Sequence, residues 1–240
     1  MTQTNARGLR VLLIAVLATL CLGMEDNDGC VASESSDAVN QSRIHTSYWL
    51  YVDAESDTTF GRAQFRLGNP LGTPLLLSEG ARVSFAGREL GFDAVLDWYD
   101  APRSGVLAGA FTYTDLDGTT FVNAAPSPAP VEVPAGFPRV VARDGASLEV
   151  AWEGLPLQAG ESMAAVAAHG ANRLLFKRWE TRLAGATSIV LSGDELRDLP
   201  TGETVLVLRR WWETESIDGT DAGGVLRTTY SSREAAFLLE

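Results

Sequence analysis

The chain has 240 residues, of which 45% are hydrophobic and 21% are charged, a composition that permits a packed core and excludes disorder over most of the chain. Its 31 acidic residues outnumber its 19 basic residues, giving a formal net charge of -12 at pH 7. Because a field of this sign repels phosphate backbones, the composition argues against nucleic acid as a partner.

We predict that residues 1–23 are a secretory signal peptide. Arg7 and Arg10 precede an apolar run at residues 11–22, and the small residue Gly23 follows it. A positive segment, a short apolar segment and small residues near its end are typical of an export signal. The run has 12 residues, whereas a helix needs about 20 to cross a bilayer. The pattern therefore predicts export rather than a membrane-spanning anchor.

Residues 24–43 are polar and rich in serine, and we predict a disordered tether there. Cys21 lies in the apolar run and Cys30 in the tether, so no disulfide can form within the body that follows. Bacterial lipoproteins carry a lipid on a cysteine that follows the apolar run, normally after a small residue. Gly29 precedes Cys30, but acidic residues separate Cys30 from the run, and Leu20 precedes Cys21. Lipidation of Cys30 or Cys21 and ordinary cleavage that leaves a free periplasmic protein both stay open.

Residues 44–125 are predicted to form a first β-sandwich domain. Polar and apolar residues alternate strictly over residues 62–67, which is typical of a half-buried strand. Asp117 and Gly118 lie between two short apolar runs within residues 111–122, and an Asp-Gly pair in that position predicts a hairpin because both residues tolerate positive φ. Further strands are predicted at residues 48–53, 75–77, 82–85 and 93–99.

Residues 126–138 contain five prolines and are predicted to be a stiff linker, because proline fixes φ and lacks a backbone donor. Residues 139–240 again show short apolar runs separated by turns, at roughly 8–12-residue spacing, which is typical of a sandwich. The alanines of residues 164–175 leave a helical alternative open there. Strands are predicted at residues 140–143, 147–152, 163–168, 174–179, 187–191, 204–212 and 235–239, with a helical turn at 192–195.

Two segments of the second half resemble fibronectin type III and related immunoglobulin-like domains. The sequence SLEVAWEGLP (residues 147–156) resembles the second strand of that family, which delivers a core tryptophan, here Trp152. Residues 188–211 are similar to its passage through a Leu-Pro-x-Gly corner into a long strand. The family's corner tyrosine is absent, and the loop at residues 216–224 is longer than usual.

The resemblance covers roughly residues 140–240, and the end of the chain is also similar to the tail of uncharacterised bacterial envelope lipoproteins. It implies a fold rather than an activity. We therefore expect an all-β chain with two immunoglobulin-like antiparallel β-sandwich domains after a signal peptide and tether, the second domain being fibronectin type III-like.

Catalytic and metal-binding motifs are missing from the sequence. Neither His45 nor His169 has the neighbours of a zinc set, and there is no Gly-x-Ser-x-Gly elbow, phosphate loop or dinucleotide fingerprint. The acidic turns at residues 115–118 and 218–221 lack the spacing of a calcium loop. We therefore predict that the chain is not an enzyme and holds no cofactor.

A candidate partner site lies in the long strand predicted at residues 204–212. Neighbours on a strand face opposite sides of the sheet, so Arg210 and Trp212 share one face and Arg209 and Trp211 share the other. An exposed tryptophan beside an arginine can bind a protein or sugar, although the same residues can simply cover a sheet face.

The predicted function is that of an exported cell-envelope protein, free in the periplasm or lipid-anchored, with a non-enzymatic structural or protein-binding role. The alternative is a carbohydrate-binding or carbohydrate-active module that uses Trp211 or Trp212 as a stacking platform. The expected partner is an unidentified envelope protein or glycan, and the sequence does not indicate an oligomeric state.

Overall fold

A computed structural model describes residues 33–105 and 108–240. The predicted signal peptide and both candidate lipidation sites, Cys21 and Cys30, lie outside the described residues. Within the described ranges, no helix has both the length and the apolar character needed to cross a membrane.

The fold is all-β, as predicted from the alternating pattern. Besides strands, the described residues form one short helix, α1 (Gly193–Arg197), and 3-10 turns at Ser36–Ala38 and Gln41–Arg43. The strands are β1 (Glu34–Ser35), β2 (Ile44–Asp53), β3 (Thr58–Leu67), β4 (Leu75–Leu76), β5 (Arg82–Phe85), β6 (Arg88–Glu89), β7 (Gly91–Asp93), β8 (Trp98–Ser104), β9 (Gly109–Thr114), β10 (Thr120–Ala125), β11 (Val131–Glu132), β12 (Val140–Val141), β13 (Leu148–Ala151), β14 (Glu153–Gly154), β15 (Glu161–His169), β16 (Phe176–Thr181), β17 (Ser188–Leu191), β18 (Gly202–Thr214), β19 (Gly224–Ser231) and β20 (Ala235–Leu239).

A ten-stranded sheet runs through both halves of the chain. Eight of its strands follow the order β12-β20-β18-β19-β2-β3-β8-β7, and β15 and β16 extend it from the other edge of β18. The sheet of β10-β9-β5-β6 belongs to the first half and the pair β13-β17 to the second, while β11 pairs with β14 and β1 with β4. The strands of the two halves therefore belong to one large sheet with separate smaller sheets.

The second half packs two layers of strands around one core. Its core joins residues of β13 and β17 to residues of β15, β18 and β20, including Val150, Leu191 and Leu208. Trp152 is 6% exposed and lies in this core, as the resemblance implies. Apolar residues that alternate along strands of two layers are what such a sandwich buries.

The core of the first half is rich in aromatic residues. Tyr48 of β2 stacks on Phe111 of β9 with ring centroids 4.9 Å apart, and Phe65 of β3 lies 4.7 Å from Tyr113 of β9. All four side chains are almost fully buried. The two layers of this half are therefore held together by rings that alternate with the outward-facing residues of β2 and β3.

A long hairpin from the second half joins the two halves. Its strands are β18 and β19, and β19 pairs in parallel with β2 from Gly224 opposite Thr46 to Ser231 opposite Asp53. Leu226 of β19 belongs to the first-half core, and Val52 of β2 belongs to the second-half core. Strand pairing and apolar packing are thus continuous across the predicted domain boundary.

The hairpin loop, residues 215–223, docks on the first half through polar contacts. The Asp218 N–H donates to Asn123 Oδ1 over 2.7 Å, and Asn123 Nδ2 donates to the Asp218 carbonyl over 2.7 Å. Thr220 Oγ1 donates to the Ile44 carbonyl over 2.5 Å. The loop, which is longer than usual for the family, therefore forms part of the contact between the two halves.

The structure differs from the predicted disordered tether over residues 34–43. Ser36 is fully buried, and its Oγ accepts a hydrogen bond of 2.8 Å from the Ser78 N–H. Gln41 Nε2 donates to the Ser36 carbonyl over 2.6 Å. These polar side chains are buried because backbone groups of the chain form hydrogen bonds with them. Amino-acid composition does not reveal such contacts.

Three further differences concern local structure. Residues 161–169 form β15, so the helical alternative for this stretch is wrong, since Ala164, Ala165 and Ala167 are fully buried in the sheet and burial overrides helix propensity. Residues 93–99 contain a turn, in which the Asp93 carboxylate accepts from two backbone N–H groups. Val131, within the predicted linker, is fully buried in the second-half core.

Candidate functional site

Aromatic and arginine side chains converge on the side of the ten-stranded sheet that points away from both cores. We call this surface the outer face. Its residues alternate along their strands with buried ones, as in β2, where Trp49 and Tyr51 are half-buried between the buried residues Tyr48, Leu50 and Val52. The residues that line the groove on the outer face are Trp49, Tyr51, Arg62, Trp98, Arg178, Arg209, Trp211, Arg227 and Thr229.

The strand register sets these residues side by side. Trp211 of β18 lies opposite Thr229 of β19, which lies opposite Tyr51 of β2. One row along, Arg227 of β19 lies opposite Trp49, and Trp49 lies opposite Arg62 of β3. Residues from the two halves of the chain therefore meet on one continuous surface, with β19 of the second half next to β2 of the first.

The groove itself is shallow and has a volume of about 260 Å³. It is lined by three tryptophans, a tyrosine, a threonine and four arginines, and no carboxylate lines it. A second groove of about 400 Å³ shares Trp211, Arg178 and Arg227 with the first. The face thus offers flat rings and guanidinium groups over an extended area rather than a deep pocket.

Arg62 lies between two rings at one end of the groove. Its guanidinium carbon is 4.4 Å from the Trp98 ring centroid and 4.8 Å from that of Phe60. Its Nε is 3.8 Å from the Asp100 carboxylate. Burial lowers the pKa of Arg62 while Asp100 opposes that shift, and burial raises the pKa of Asp100. The guanidinium is therefore partly desolvated and strengthens its contacts with the rings.

Arg178 and Arg227 flank Trp211 in the middle of the face. The Arg178 guanidinium carbon is 5.4 Å from the Trp211 ring centroid, and its Nη2 is 2.5 Å from Glu180. Arg227 Nε donates to Glu213 over 2.6 Å. These pairs orient the guanidinium groups beside the tryptophan while leaving the ring half exposed.

Arg209 differs from the other arginines of the groove. Its side chain is exposed, and no hydrogen bond or ion pair holds it among residues 33–105 and 108–240. It therefore contributes a positive charge that no carboxylate of the described chain neutralises at short range. This unpaired positive charge lies beside Trp211, in a protein whose net charge is negative.

The structure separates the four predicted partner-site residues into two pairs. Trp211 and Arg209 lie on the outer face together, whereas Trp212 and Arg210 point into the protein, as the alternation predicts. Trp212 packs against the first-half core. Arg210 is 1% exposed, and it donates to the carbonyls of Leu155 over 2.7 Å and Pro156 over 3.0 Å.

Arg210 also pairs with Glu161, and at 1% exposure its guanidinium is out of reach of a partner on the surface. Arg210 is therefore not part of an exposed binding surface, contrary to the prediction. Its side chain donates to interior acceptors and holds the loop before β15 against the sheet. Trp212 is half-buried and packs against the first-half core from the side opposite to the outer face.

The two histidines lie on different strands. His45 is buried near the start of β2, and His169 is the last residue of β15. Among the described residues, no group of three or more His, Cys, Asp or Glu side chains could hold a metal ion.

Sequence reasoning missed seven residues of the groove. The signal that could have found Trp49 and Tyr51 is their alternation with Tyr48, Leu50 and Val52, which marks two faces of β2. Nothing in the sequence places that strand next to β19, because the parallel pairing joins residues 178 positions apart. The missed residues are Trp49, Tyr51, Arg62, Trp98, Arg178, Arg227 and Thr229.

Comparisons with known proteins identify no family for the chain. No protein-family model matches it, and no curated protein is significantly similar. Among solved structures, three domains from chicken CNTN1 (FN1–FN3) cover 80% of this chain and 65% of their own at 8% identity and a TM-score of 0.27.

Two bacterial surface proteins give similar values. AggA, the major subunit of aggregative adherence fimbriae type I from Escherichia coli, matches 48% of this chain and 98% of its own at 12% identity and a TM-score of 0.23. Part of a 1.5-MDa bacterial ice-binding adhesin matches 78% of this chain and 64% of its own at 15% identity and a TM-score of 0.24. At such scores the likenesses do not bear on function.

Proposed function

We propose that the chain is a non-enzymatic binding module exported to the bacterial cell envelope, and that the outer face is its binding surface. One observation carries the proposal: Trp49, Trp98 and Trp211, three of the six tryptophans, share one groove with four arginines on a face that covers neither core. Tryptophan and arginine are the residues most enriched where partners bind tightly.

A purely structural role explains the outer face less well. Arginine stems can cover a sheet face, and Arg62 does so between Phe60 and Trp98. Arg209 covers no ring and pairs with no carboxylate in the described chain, and Trp211 stays partly exposed on the side of its strand that faces away from both cores. A partner bound in the groove would pair with the Arg209 guanidinium and cover the Trp211 ring.

The location in the envelope is proposed from the leader. Residues 1–23 would direct export, and a lipid on Cys30 or Cys21 would hold the module at a membrane surface, while cleavage without a lipid would leave it free in the periplasm. Metabolic labelling with a palmitate analogue in wild type, Cys21→Ser and Cys30→Ser distinguishes these outcomes. Absence of label in the wild type removes the lipid anchor and leaves the binding proposal intact.

The binding proposal is tested by retention of the purified protein on an envelope preparation from producing cells. Trp211→Ala should lower retention by at least tenfold, the effect of losing a central aromatic contact. Leu183→Ala, which removes a side chain that is 71% exposed elsewhere, should retain like the wild type. Equal retention of both variants and the wild type would contradict the outer face as the binding surface.

A further inference from the structure

We infer that the outer face binds an acidic glycan, a polysaccharide whose sugar units carry carboxylate or sulfate groups. This inference rests on the proposed function and names the ligand of the same surface. The charge of the groove, the chemistry of its rings and strands, and the shape of the groove all favour such a ligand.

The charge of the groove is opposite to that of the protein. The chain carries a net charge of -12, yet the groove is lined by Arg62, Arg178, Arg209 and Arg227 and by no acidic residue. Three of these pair with carboxylates outside the groove lining, Asp100, Glu180 and Glu213, and Arg209 does not. A planar guanidinium donates two parallel hydrogen bonds to a carboxylate or a similar oxyanion. The free cation therefore selects an anionic group.

The rings select a ligand with flat, weakly positive C–H surfaces. An aromatic ring presents a negative face, and the C–H groups of a pyranose ring carry the complementary partial charge. Trp49 and Trp211 offer such faces beside the arginines. Tyr51 and Thr229 add hydroxyl groups in the same row, which suits a ligand rich in hydroxyls.

The strands disfavour a peptide as the occupant. A peptide binds a sheet most readily by adding a strand at an edge, where backbone N–H and C=O groups are free. The residues of the groove from β2, β3, β18 and β19 lie on interior strands whose two neighbours are both paired. Only side chains face the ligand, so an acidic peptide would bind without its main-chain hydrogen bonds.

The shape favours an extended polymer. The groove of about 260 Å³ is smaller than the roughly 300–1,000 Å³ of pockets that enclose a small molecule. It continues past Trp211 into the second groove, which shares Arg178 and Arg227 and adds Arg182. Glu180 and Glu213, the ion-pair partners of the two shared arginines, also line the second groove, so Arg182 is the cation that this groove adds. A chain of sugars can follow these grooves across several strands and place successive acidic groups near successive arginines.

The test is a titration of the protein, purified from the envelope of producing cells, with polygalacturonate and with its fully methyl-esterified form. The two polymers share a backbone, and only the first is charged. We expect binding to polygalacturonate with a change in tryptophan fluorescence, and at least tenfold weaker binding to the ester. Dextran sulfate distinguishes a sulfate from a carboxylate preference, and binding to either acidic polymer supports the inference.

Two variants and a matched control make the test specific. Arg209→Gln should weaken binding to the acidic polymer roughly tenfold, the usual effect of losing one charge-assisted hydrogen bond. Trp211→Ala should remove most of the binding. Arg88→Gln is the control, because Arg88 is exposed on β6 of the four-stranded sheet. Thermal unfolding of each variant verifies that it is folded.

Three results would overturn the inference. The first is equal affinity for polygalacturonate and its ester, and the second is no binding to either acidic polymer. The third is equal affinity for polygalacturonate and poly-L-glutamate, an acidic polymer without sugar rings. If one of these occurs while Trp211→Ala still abolishes retention on the envelope preparation, the ligand class is wrong and the proposed function stands. If retention is also insensitive to Trp211→Ala, both fail.

Discussion

Arg209 and Arg210 are consecutive residues of β18 with opposite surroundings. Arg209 is exposed on the outer face beside Trp211, whereas Arg210 is 1% exposed and contacts Glu161 and two backbone carbonyls. Side chains alternate along a strand, so a single strand supplies both an interior polar anchor and a surface cation. The two arginines should therefore respond differently to the same substitution.

Arg210→Ala should lower the free energy of unfolding by about 3 kcal/mol, because it removes the buried ion-pair partner of Glu161 and the hydrogen bonds to the carbonyls of Leu155 and Pro156. Arg209→Ala should change it by less than about 0.5 kcal/mol, as expected at an exposed site. Urea denaturation at neutral pH measures both values. Equal losses for the two variants would contradict the separation of an interior arginine from a surface one.

Gly224→Ala should destabilise the joint between the halves. A Cβ at this position would lie 2.2 Å from the Thr46 carbonyl oxygen and 2.4 Å from Ile217 Cδ1, so β19 and β2 would have to separate. We expect a loss of about 2 kcal/mol, typical of an overpacked site, and faster hydrogen exchange along β2.

Gly91→Ala is the matched control for Gly224→Ala. It adds the same methyl group at the edge strand β7, where no heavy atom lies within 4 Å. Its unfolding midpoint should stay close to that of the wild type. If Gly224→Ala unfolds at the midpoint of this control, the close parallel pairing of β19 with β2 is wrong.

Tyr230 makes stability depend on alkaline pH. Burial and a 3.0 Å hydrogen bond to Glu132 raise its pKa to about 12, above the value of about 10 in an unfolded chain. The unfolded state therefore loses this proton first, so the stabilisation is complete below pH 10 and is lost as the pH rises from about 10 to about 12.

The matching variant is Tyr230→Phe, which cannot ionise. Between pH 9 and pH 11 the wild type should lose about 1 kcal/mol more stability than this variant. Burial also raises the pKa of Tyr48, Tyr99 and Tyr113, so both proteins should still lose stability. Identical losses in urea denaturation at the two pH values would exclude the contribution of Tyr230.

The all-β fold and the faces of β18 follow from alternation, which is a local property of the sequence. The burial of Trp152 and the opposite orientations of Trp211 and Trp212 were predictable for this reason, whereas which of these two tryptophans faces outward was not. The outer face as a whole was not, because it depends on the parallel pairing of β19 with β2 and on the docking of residues 215–223. These contacts join distant parts of the chain, and short-range periodicity carries no information about them. Burial of Ser36 and Arg210 was missed for the same reason.

Hydroxyl-radical footprinting of the protein on an envelope preparation tests the central claim most directly. Bound protein should show protection of Trp49, Trp98 and Trp211 relative to free protein, with no change at Phe92, which is 39% exposed away from the groove. Excess polygalacturonate should release the protein from the preparation while these three tryptophans stay protected, because the polymer then covers the same face. Protection confined to surfaces other than the outer face, with Trp49, Trp98 and Trp211 unchanged, would contradict the account.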